Sequence, residues 1–242
     1  MFIQGFLLIL QQIVIRMESI INDHEWIDLG LSVKWATCNV GASSPNDPGD
    51  YFAWGETVPK SEFTWENYKF WISGGWKDAS FNKYTTEVGQ EREDLVQVGD
   101  GIWWNMTSKK NRAKCEQDIV DYKTCLDMSD DAAHVNWGGT WRMPTEKELG
   151  ELVKKCTWTY SRLGYRVTSE KTGNSIFLPL TGSRSGSKND SLPGIWSSSL
   201  KTDMSRFAYS IQFGYCHLWE TDDVGLYARF RCYGLPVRPV SD

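Results

Sequence analysis

The side chains that could do chemistry in this chain are few and widely separated. Only three histidines occur, and His134 is the one that follows two carboxylates, Asp130 and Asp131. That grouping is compatible with a metal ion or an acid–base pair, but the second-ligand spacing of a motif such as H-E-x-x-H is missing. A hydrogen-bonded structural histidine is the simpler interpretation of His134.

Nucleophile, phosphate and calcium motifs are missing as well. The serines at 197–199 lack the G-x-S-x-G elbow, and the glycine pairs at 74–75 and 138–139 do not extend to a P-loop. The aspartate pairs at 130–131 and 222–223 lack EF-hand spacing. The sequence therefore predicts no enzyme, no metal and no cofactor.

The six cysteines form no C-x-x-C pair, which argues against zinc and thioredoxin-like redox sites. An even number in an exported protein would permit disulfides, but six is too few to define a framework. We predict mostly free, half-buried thiols. The positions are Cys38, Cys115, Cys125, Cys156, Cys216 and Cys232.

Composition points to a soluble globular protein rich in aromatic side chains. Aromatic residues make up 14% of the chain and 13 of them are Trp. Trp provides rigid, amphipathic area that suits irregular cores and binding surfaces alike. The net charge of -5 and the lack of a basic stripe argue against nucleic acid as a partner.

The N-terminal segment, residues 1–23, is apolar at its start and has three open interpretations. Met1–Ile15 resembles the apolar region of a signal peptide, but no Lys or Arg precedes it and no A-x-A site follows. Met17 could instead be the true start, or the segment could be a helix that packs on a second subunit, which leaves homo-oligomerisation open. It is too short for a transmembrane span, which needs about 20 apolar residues.

Short strands and turns dominate from residue 24 onward, an α+β pattern. Trp26–Ala36 alternates around a glycine and predicts a hairpin. Residues from about 57 to 130 lack a sustained period and form an insertion, with a short helix predicted over Asn111–Val120. Further strands are predicted at Tyr165–Val167, Ser175–Leu180, Gly194–Ser199, Phe207–Phe213 and Gly234–Val240.

The clearest helix begins at Thr145. Pro144 precedes it, and Glu148 follows three residues after Thr145, which is the spacing of a capping box. Its apolar positions fall at helical spacing and predict one buried stripe. They are Leu149, Leu152, Val153 and Cys156.

Six segments, in this order, resemble the Fibrobacter succinogenes major paralogous domain, a family abundant in gut Bacteroidales. They are WIDLGLSVKWATCNVGASSP, GDYFAWGET, DDAAHVNWGGTWRMPTEKELGELV, NSIFLPLTG, IWSSSL and GLPVRPV, which span Trp26 to Val240. The resemblance implies a C-type-lectin-like fold: irregular short antiparallel strands, a few flanking helices, long loops and two chain ends that meet. We therefore expect one compact domain over 24–242.

Within that framework Trp141 is expected to be a core anchor, because the ring and Pro144 fix the entry into the helix. Val237 and Val240 alternate as apolar strand residues, and we expect Arg238 to pair with a buried carboxylate. The VRPV strand is expected to pair with the strand near Trp26–Leu31.

The last forty residues resemble, in addition, the variable region of proteins diversified by retroelements. In such systems adenine mutagenesis of AAY codons cannot create Lys, Glu, Gln, Met or Trp. Thr221–Tyr233 (TDDVGLYARFRCY) contains none of these five types, an outcome that chance also produces in so short a window. Its aromatic, arginine and aspartate residues show no period of two, so we expect an exposed binding surface and not a packed strand.

The predicted ligand-binding residues combine aromatic and arginine side chains, the types that dominate binding hot spots. They are Arg206, Phe207, Tyr215, His217, Trp219, Thr221, Asp222, Tyr227, Arg229, Phe230 and Tyr233. The resemblance assigns scaffold roles in the same stretch to Ala208, Ile211, Phe213, Arg231 and Gly234.

Three functions from different classes follow. The first is a ligand-binding display protein, secreted, on a cell surface or on a phage particle, which contacts a protein or glycan ligand as a variable protein or an adhesin. The second is an invariant carbohydrate-binding or cell-envelope structural module. The third is an enzyme of the formylglycine-generating type, which the scattered Cys and His residues do not favour.

Overall fold

The computed structural model describes residues 20–75, 79–86, 95–98, 102–105, 119–190, 193–216 and 221–242. These ranges hold mostly antiparallel strands in several small sheets, together with two short α-helices, an arrangement compatible with the α+β class. None of the helices in these ranges is long and apolar enough to cross a membrane.

The helices are short, and the strands range from two to ten residues. Helix α1 covers Ala132–Trp137 and α2 covers Glu146–Lys155, with a 3-10 turn at Met128–Asp130 before α1. The strands are β1 Ile20–Ile21, β2 His24–Ile27, β3 Lys34–Ala36, β4 Trp71–Ser73, β5 Ser80–Phe81, β6 Leu95–Val98, β7 Ile102–Asn105, β8 Cys156–Ser161, β9 Gly164–Ser169, β10 Ser175–Pro179, β11 Ser183–Ser185, β12 Lys188–Asp190, β13 Gly194–Leu200, β14 Phe207–Cys216, β15 Thr221–Phe230 and β16 Val240–Ser241.

The two ends of the domain meet in one antiparallel sheet with the order β1-β2-β3-β16. The predicted hairpin is present, with Trp26 opposite Ala36. The predicted partner of the VRPV segment was wrong, because Val240 lies opposite Trp35 in β3 and not beside β2. Strand β2 cannot pair with the VRPV segment, because β1 and β3 already pair with its two edges.

Helix α2 begins as predicted, with a complete capping box. The Thr145 hydroxyl accepts from the Glu148 backbone N–H, and the Glu148 carboxylate accepts from the Thr145 N–H. Leu149 and Leu152 are fully buried and Val153 is half-buried, so the apolar stripe is confirmed. The helix packs across the sheet β13-β14-β15.

Two hydrophobic clusters fill the interior. The smaller one joins α2 to β9, β10 and one face of β13-β14-β15. The larger one contains Trp141, which is fully buried and donates from Nε1 to the Ile21 carbonyl at 2.9 Å, confirming it as a core anchor.

The insertion belongs to that larger cluster. Its buried aromatic side chains, including Trp65 and Tyr68, pack in the same cluster as Trp54 and Phe230. The described part of the insertion is therefore integral to the core. The helix predicted over Asn111–Val120 falls, apart from its last two residues, outside the described residues.

Candidate ligand-binding face

His134 has the partners of a structural residue. Its backbone N–H donates to the Asp131 carboxylate at 3.0 Å, and Nδ1 lies 3.2 Å from the Trp141 carbonyl oxygen. Across the described ranges, no three His, Cys, Asp or Glu side chains converge as metal ligands would. These two contacts are sufficient to explain the position of His134 as a structural residue.

The four cysteines whose side chains are described are free thiols in different surroundings. Cys38 is half-buried, Cys125 is exposed, and Cys156 and Cys232 are buried. Burial raises the pKa of the Cys156 thiol to about 11. It raises the pKa of the Cys232 thiol further, so both buried thiols are poor nucleophiles at neutral pH.

The predicted binding segment forms a long hairpin, with β14 central and β15 at the edge of the sheet β13-β14-β15. The register assigns every described position to one of two faces, because successive side chains alternate. The inner face holds the pairs Phe207–Phe230, Tyr209–Ala228, Ile211–Leu226 and Phe213–Val224. The outer face holds Ala208–Arg229, Ser210–Tyr227 and Gln212–Gly225.

The expectation that Thr221–Tyr233 is not a regular strand was wrong. Val224 and Leu226 pack against the α2 cluster, whereas Ala228 and Phe230 pack against the larger one. A Cβ built at Gly150 of α2 would lie only 3.4 Å from Leu226. A period of two is therefore present, hidden because the inner side chains differ in size and serve two different clusters.

Phe207 and Phe230 are corrected from ligand contacts to core residues. Each is 5% exposed, and their rings stack with centroids 4.4 Å apart. Trp65 of the insertion meets Phe230 edge-on at 5.8 Å. The sequence argument treated these rings as exposed because it did not foresee that the insertion covers them.

The outer face carries the predicted residues Tyr227 and Arg229. Tyr227 is half-buried, and a Cβ added at Gly225 would come within 3.2 Å of its ring. Arg229 is 9% exposed, so it is more enclosed than predicted, and its guanidinium donates to the Gln212 side-chain oxygen. Gln212 was missed, although it alternates with the apolar Ile211 and Phe213 in β14.

The remaining predicted residues lie around this hairpin. Arg206 is half-buried, and its guanidinium lies 5.9 Å from the Phe207 ring centre. Tyr233 is half-buried and meets the Phe230 ring at 5.5 Å. In the backbone, Tyr215 lies opposite Asp222, and Thr221 lies opposite Cys216. His217 and Trp219 lie outside the described residues.

All five predicted scaffold positions are buried, as expected. Ala208, Ile211, Phe213 and Arg231 are at most 1% exposed, and a Cβ at Gly234 would lie 2.6 Å from the Phe63 ring. The hairpin is thus fixed to the core by Ile211 and Phe213 on its inner face and by Ala208 on its outer face.

Arg231 fixes the end of the hairpin to the insertion. Its guanidinium donates to the Tyr68 hydroxyl at 2.9 Å and to the carbonyls of Lys83, Tyr84 and Ser205 at 2.9 to 3.1 Å. The Phe81 ring centre lies 4.3 Å from it. Arg is suited to such a position because its planar group carries five donors and stacks on aromatic rings.

Arg238 has no carboxylate among its hydrogen-bond partners, contrary to expectation. It donates to Asn39 Oδ1 at 2.7 Å and to the carbonyls of Ala36, Thr37 and Phe177 at 2.9 to 3.1 Å. Burial lowers the pKa of Arg238 to about 10. The side chain joins the end-to-end sheet to β10, a contact that local sequence does not reveal.

A second polar network holds the insertion to the turn before α1. Asp130 is 4% exposed and accepts from Lys69 Nζ, Lys83 Nζ and the Tyr84 hydroxyl at 2.5 to 2.6 Å. Burial acts to raise the pKa of Asp130, but these hydrogen bonds outweigh it and hold the pKa below its ordinary value. Asp130 is thus a structural carboxylate, and the paired aspartates serve packing.

Comparisons of the chain with protein-family models, with curated protein sequences and with solved structures return no match.

Proposed function

We propose that this protein is a ligand-binding display protein with a C-type-lectin-like fold, secreted or carried on a cell or phage surface. Two features of the architecture favour that fold. The chain ends pair in one sheet, where Val240 lies opposite Trp35, and a capped helix packs on a second antiparallel sheet.

The observation that carries the proposal is the pair of half-buried side chains on the outer face of β14 and β15, Gln212 and Tyr227. By contrast, Ala208 and Ser210 on the same face are buried. Side chains at the two half-buried positions can change with less cost to folding than those at the buried positions. The rigid strands would present Tyr227, Arg229 and Gln212 to a protein or glycan ligand on a cell surface.

A binding test follows from this face. The double variant Gln212→Ala/Tyr227→Ser should bind about tenfold or more weakly than the parent on a printed glycan array and on a panel of intact bacterial cells. Tyr122→Ser is the matched control, since Tyr122 is 74% exposed and lies outside this sheet. Equal binding by the parent and the double variant, or no binding by the parent, would contradict the proposal.

An invariant carbohydrate-binding module is the second candidate, and the half-buried Tyr227 ring beside Gly225 favours it. An aromatic side chain on a binding face can stack on a sugar ring. The genomic neighbourhood separates the two candidates. A reverse transcriptase gene beside a near-identical, asparagine-rich copy of the final segment indicates a diversified protein, and its absence favours the invariant module.

A further inference from the structure

A groove of about 420 Å³ lies on another part of the molecule, between the loop after β3 and the sheet β8-β9-β10. None of its lining residues belongs to β13, β14 or β15. Its lining consists of Ile27, Thr37, Pro45, Asn46, Ser161, Leu163, Arg166, Ser175, Ile176 and Phe177. The volume falls in the range of small-ligand and short-peptide pockets.

The groove has apolar walls beside an exposed apolar rim. Leu163 is 62% exposed, and its carbonyl accepts from the backbone N–H of Leu180, which is 38% exposed. Tyr160, on the same β8-β9 hairpin, is 52% exposed. Tyr160 lies opposite Tyr165 and their rings are 5.4 Å apart, so Tyr160 is on the other face of the sheet from Arg166. Leu163 is therefore the large exposed apolar side chain that lines the groove.

The groove also favours a ligand that carries a negative charge. Arg166 is the one ionisable side chain that lines it. Its Nη1 donates to the Ser175 hydroxyl at 3.1 Å, and among the described residues no carboxylate forms an ion pair with it. A two-fold contact between copies of this chain through the groove would bring one Arg166 towards another, and like charges oppose that arrangement.

We propose that this groove is a second binding site, which takes a peptide segment of a partner protein that carries a carboxylate next to large apolar side chains. The carboxylate would bind Arg166, whose planar donors match it. The apolar side chains would lie on Leu163 and Phe177. The site is separate from the outer face of β14 and β15, so either proposal can fail without the other.

Methyl NMR tests the proposal directly, because Ile27, Leu163 and Ile176 line the groove. The probe is N-acetyl-Ala-Leu-Phe with a free carboxylate, compared with its carboxamide twin. We expect saturable shifts at the methyl groups of Ile27 and Leu163, with Ile211 in the core unmoved, and binding about tenfold weaker for the carboxamide.

Two arginines of one hairpin supply the matched variants. Arg166→Gln should weaken binding of the free-acid peptide about tenfold. Arg162→Gln should leave it nearly unchanged, since Arg162 is exposed in the turn but does not line the groove. Leu163→Ser, also at an exposed position, should weaken binding through lost apolar contact.

Four results would overturn the proposal. One is the absence of saturable shifts at millimolar peptide, and another is equal affinity for the acid and the carboxamide. The third is equally tight binding of phenylacetate alone, which would assign the groove to small acids and not to a peptide. Loss of binding on Gln212→Ala/Tyr227→Ser would locate the peptide on the other face and overturn it as well.

Discussion

At the scale of single residues, two fully buried arginines organise this protein. Arg231 and Arg238 donate to backbone carbonyls, to a tyrosine hydroxyl and to an asparagine oxygen. A buried cation is tolerated when its donors are satisfied. Each of the two therefore joins chain segments that are far apart in the sequence.

Arg238→Met should be strongly destabilising. The change leaves the Asn39 side chain and three buried carbonyls without their donor. We expect a loss of about 3 kcal/mol or more in the free energy of unfolding, measured by denaturant titration. Arg162→Met, at an exposed position, is the control and should change stability by less than about 0.5 kcal/mol. Similar midpoints for the two variants would refute this role of Arg238.

His24 should make stability depend on pH. Its ring stacks on Trp137 at 3.6 Å, and burial lowers its pKa against the opposing effect of Asp23. The folded state then binds a proton less readily than the unfolded state. The contribution is complete above the unfolded pKa of about 6.5 and is lost as the pH falls towards the lower folded value.

The measurement is the free energy of unfolding between about pH 7.5 and about pH 5.5. The parent should lose more stability over this interval than His24→Gln, which cannot be protonated. Parallel pH profiles for the two proteins would show that His24 titrates alike in both states.

At the scale of elements, a helix with one buried stripe holds the sheet from its inner side. The contact is made by Leu149 and Leu152 of α2 and by Val224 and Leu226 of β15, which belong to one hydrophobic cluster. The capping box fixes where the helix begins. Together they keep the hairpin of β14 and β15 in place, which a rigid binding face requires.

Leu152→Ala should lower the free energy of unfolding by about 2–5 kcal/mol, because it leaves a cavity between α2 and the sheet. Trp141→Ala should have an effect of similar size at the other cluster. Leu163→Ala is the comparison, since Leu163 is 62% exposed and should tolerate the change. An unchanged melting temperature for Leu152→Ala would mean that the helix is not anchored there.

The two faces of the hairpin should respond differently to serine. Phe230→Ser should cost about 3–5 kcal/mol, because Phe230 is 5% exposed and packs on Phe207 and Trp65. Tyr227→Ser should cost far less, since Tyr227 is half-buried on the outer face. Thermal unfolding of both variants checks the difference. If Tyr227→Ser lowered the stability more than Phe230→Ser, the assignment of the inner and outer faces would be wrong.

At the scale of the whole molecule, the insertion and the C-terminal strands share one core. The Arg231 guanidinium donates hydrogen bonds to Tyr68, Lys83 and Tyr84. The Phe230 ring packs on Trp65. Contacts of this kind make separate folding of the two parts costly, because each part would expose aromatic surface that the other now covers.

We expect residues 24–242 to unfold as one cooperative unit. Calorimetry should give a single transition whose calorimetric and van't Hoff enthalpies agree. Limited proteolysis should release no pair of stable halves. Two transitions, or a protease-resistant fragment that refolds without the insertion, would show that the chain is divided into separate domains.

The sequence alone determined the features whose causes are local. A capping box joins residues three apart, and the alternation in Trp26–Ala36 is read from adjacent positions, so both were predicted correctly. The burial of Trp141 followed from its place before a capped helix. These elements require only short-range steric and hydrogen-bonding preferences.

Only the tertiary structure decided which side chains of the C-terminal strands are buried. Arg231 forms a hydrogen bond with Tyr68, 163 positions away, and Arg238 forms one with Ala36, 202 positions away. Phe230 is covered by Trp65 of the insertion, so its type and spacing could not distinguish a core residue from a ligand contact. The physical reason is that hydrophobic burial is not directional: it depends on which distant surface arrives, and the local pattern does not contain that information.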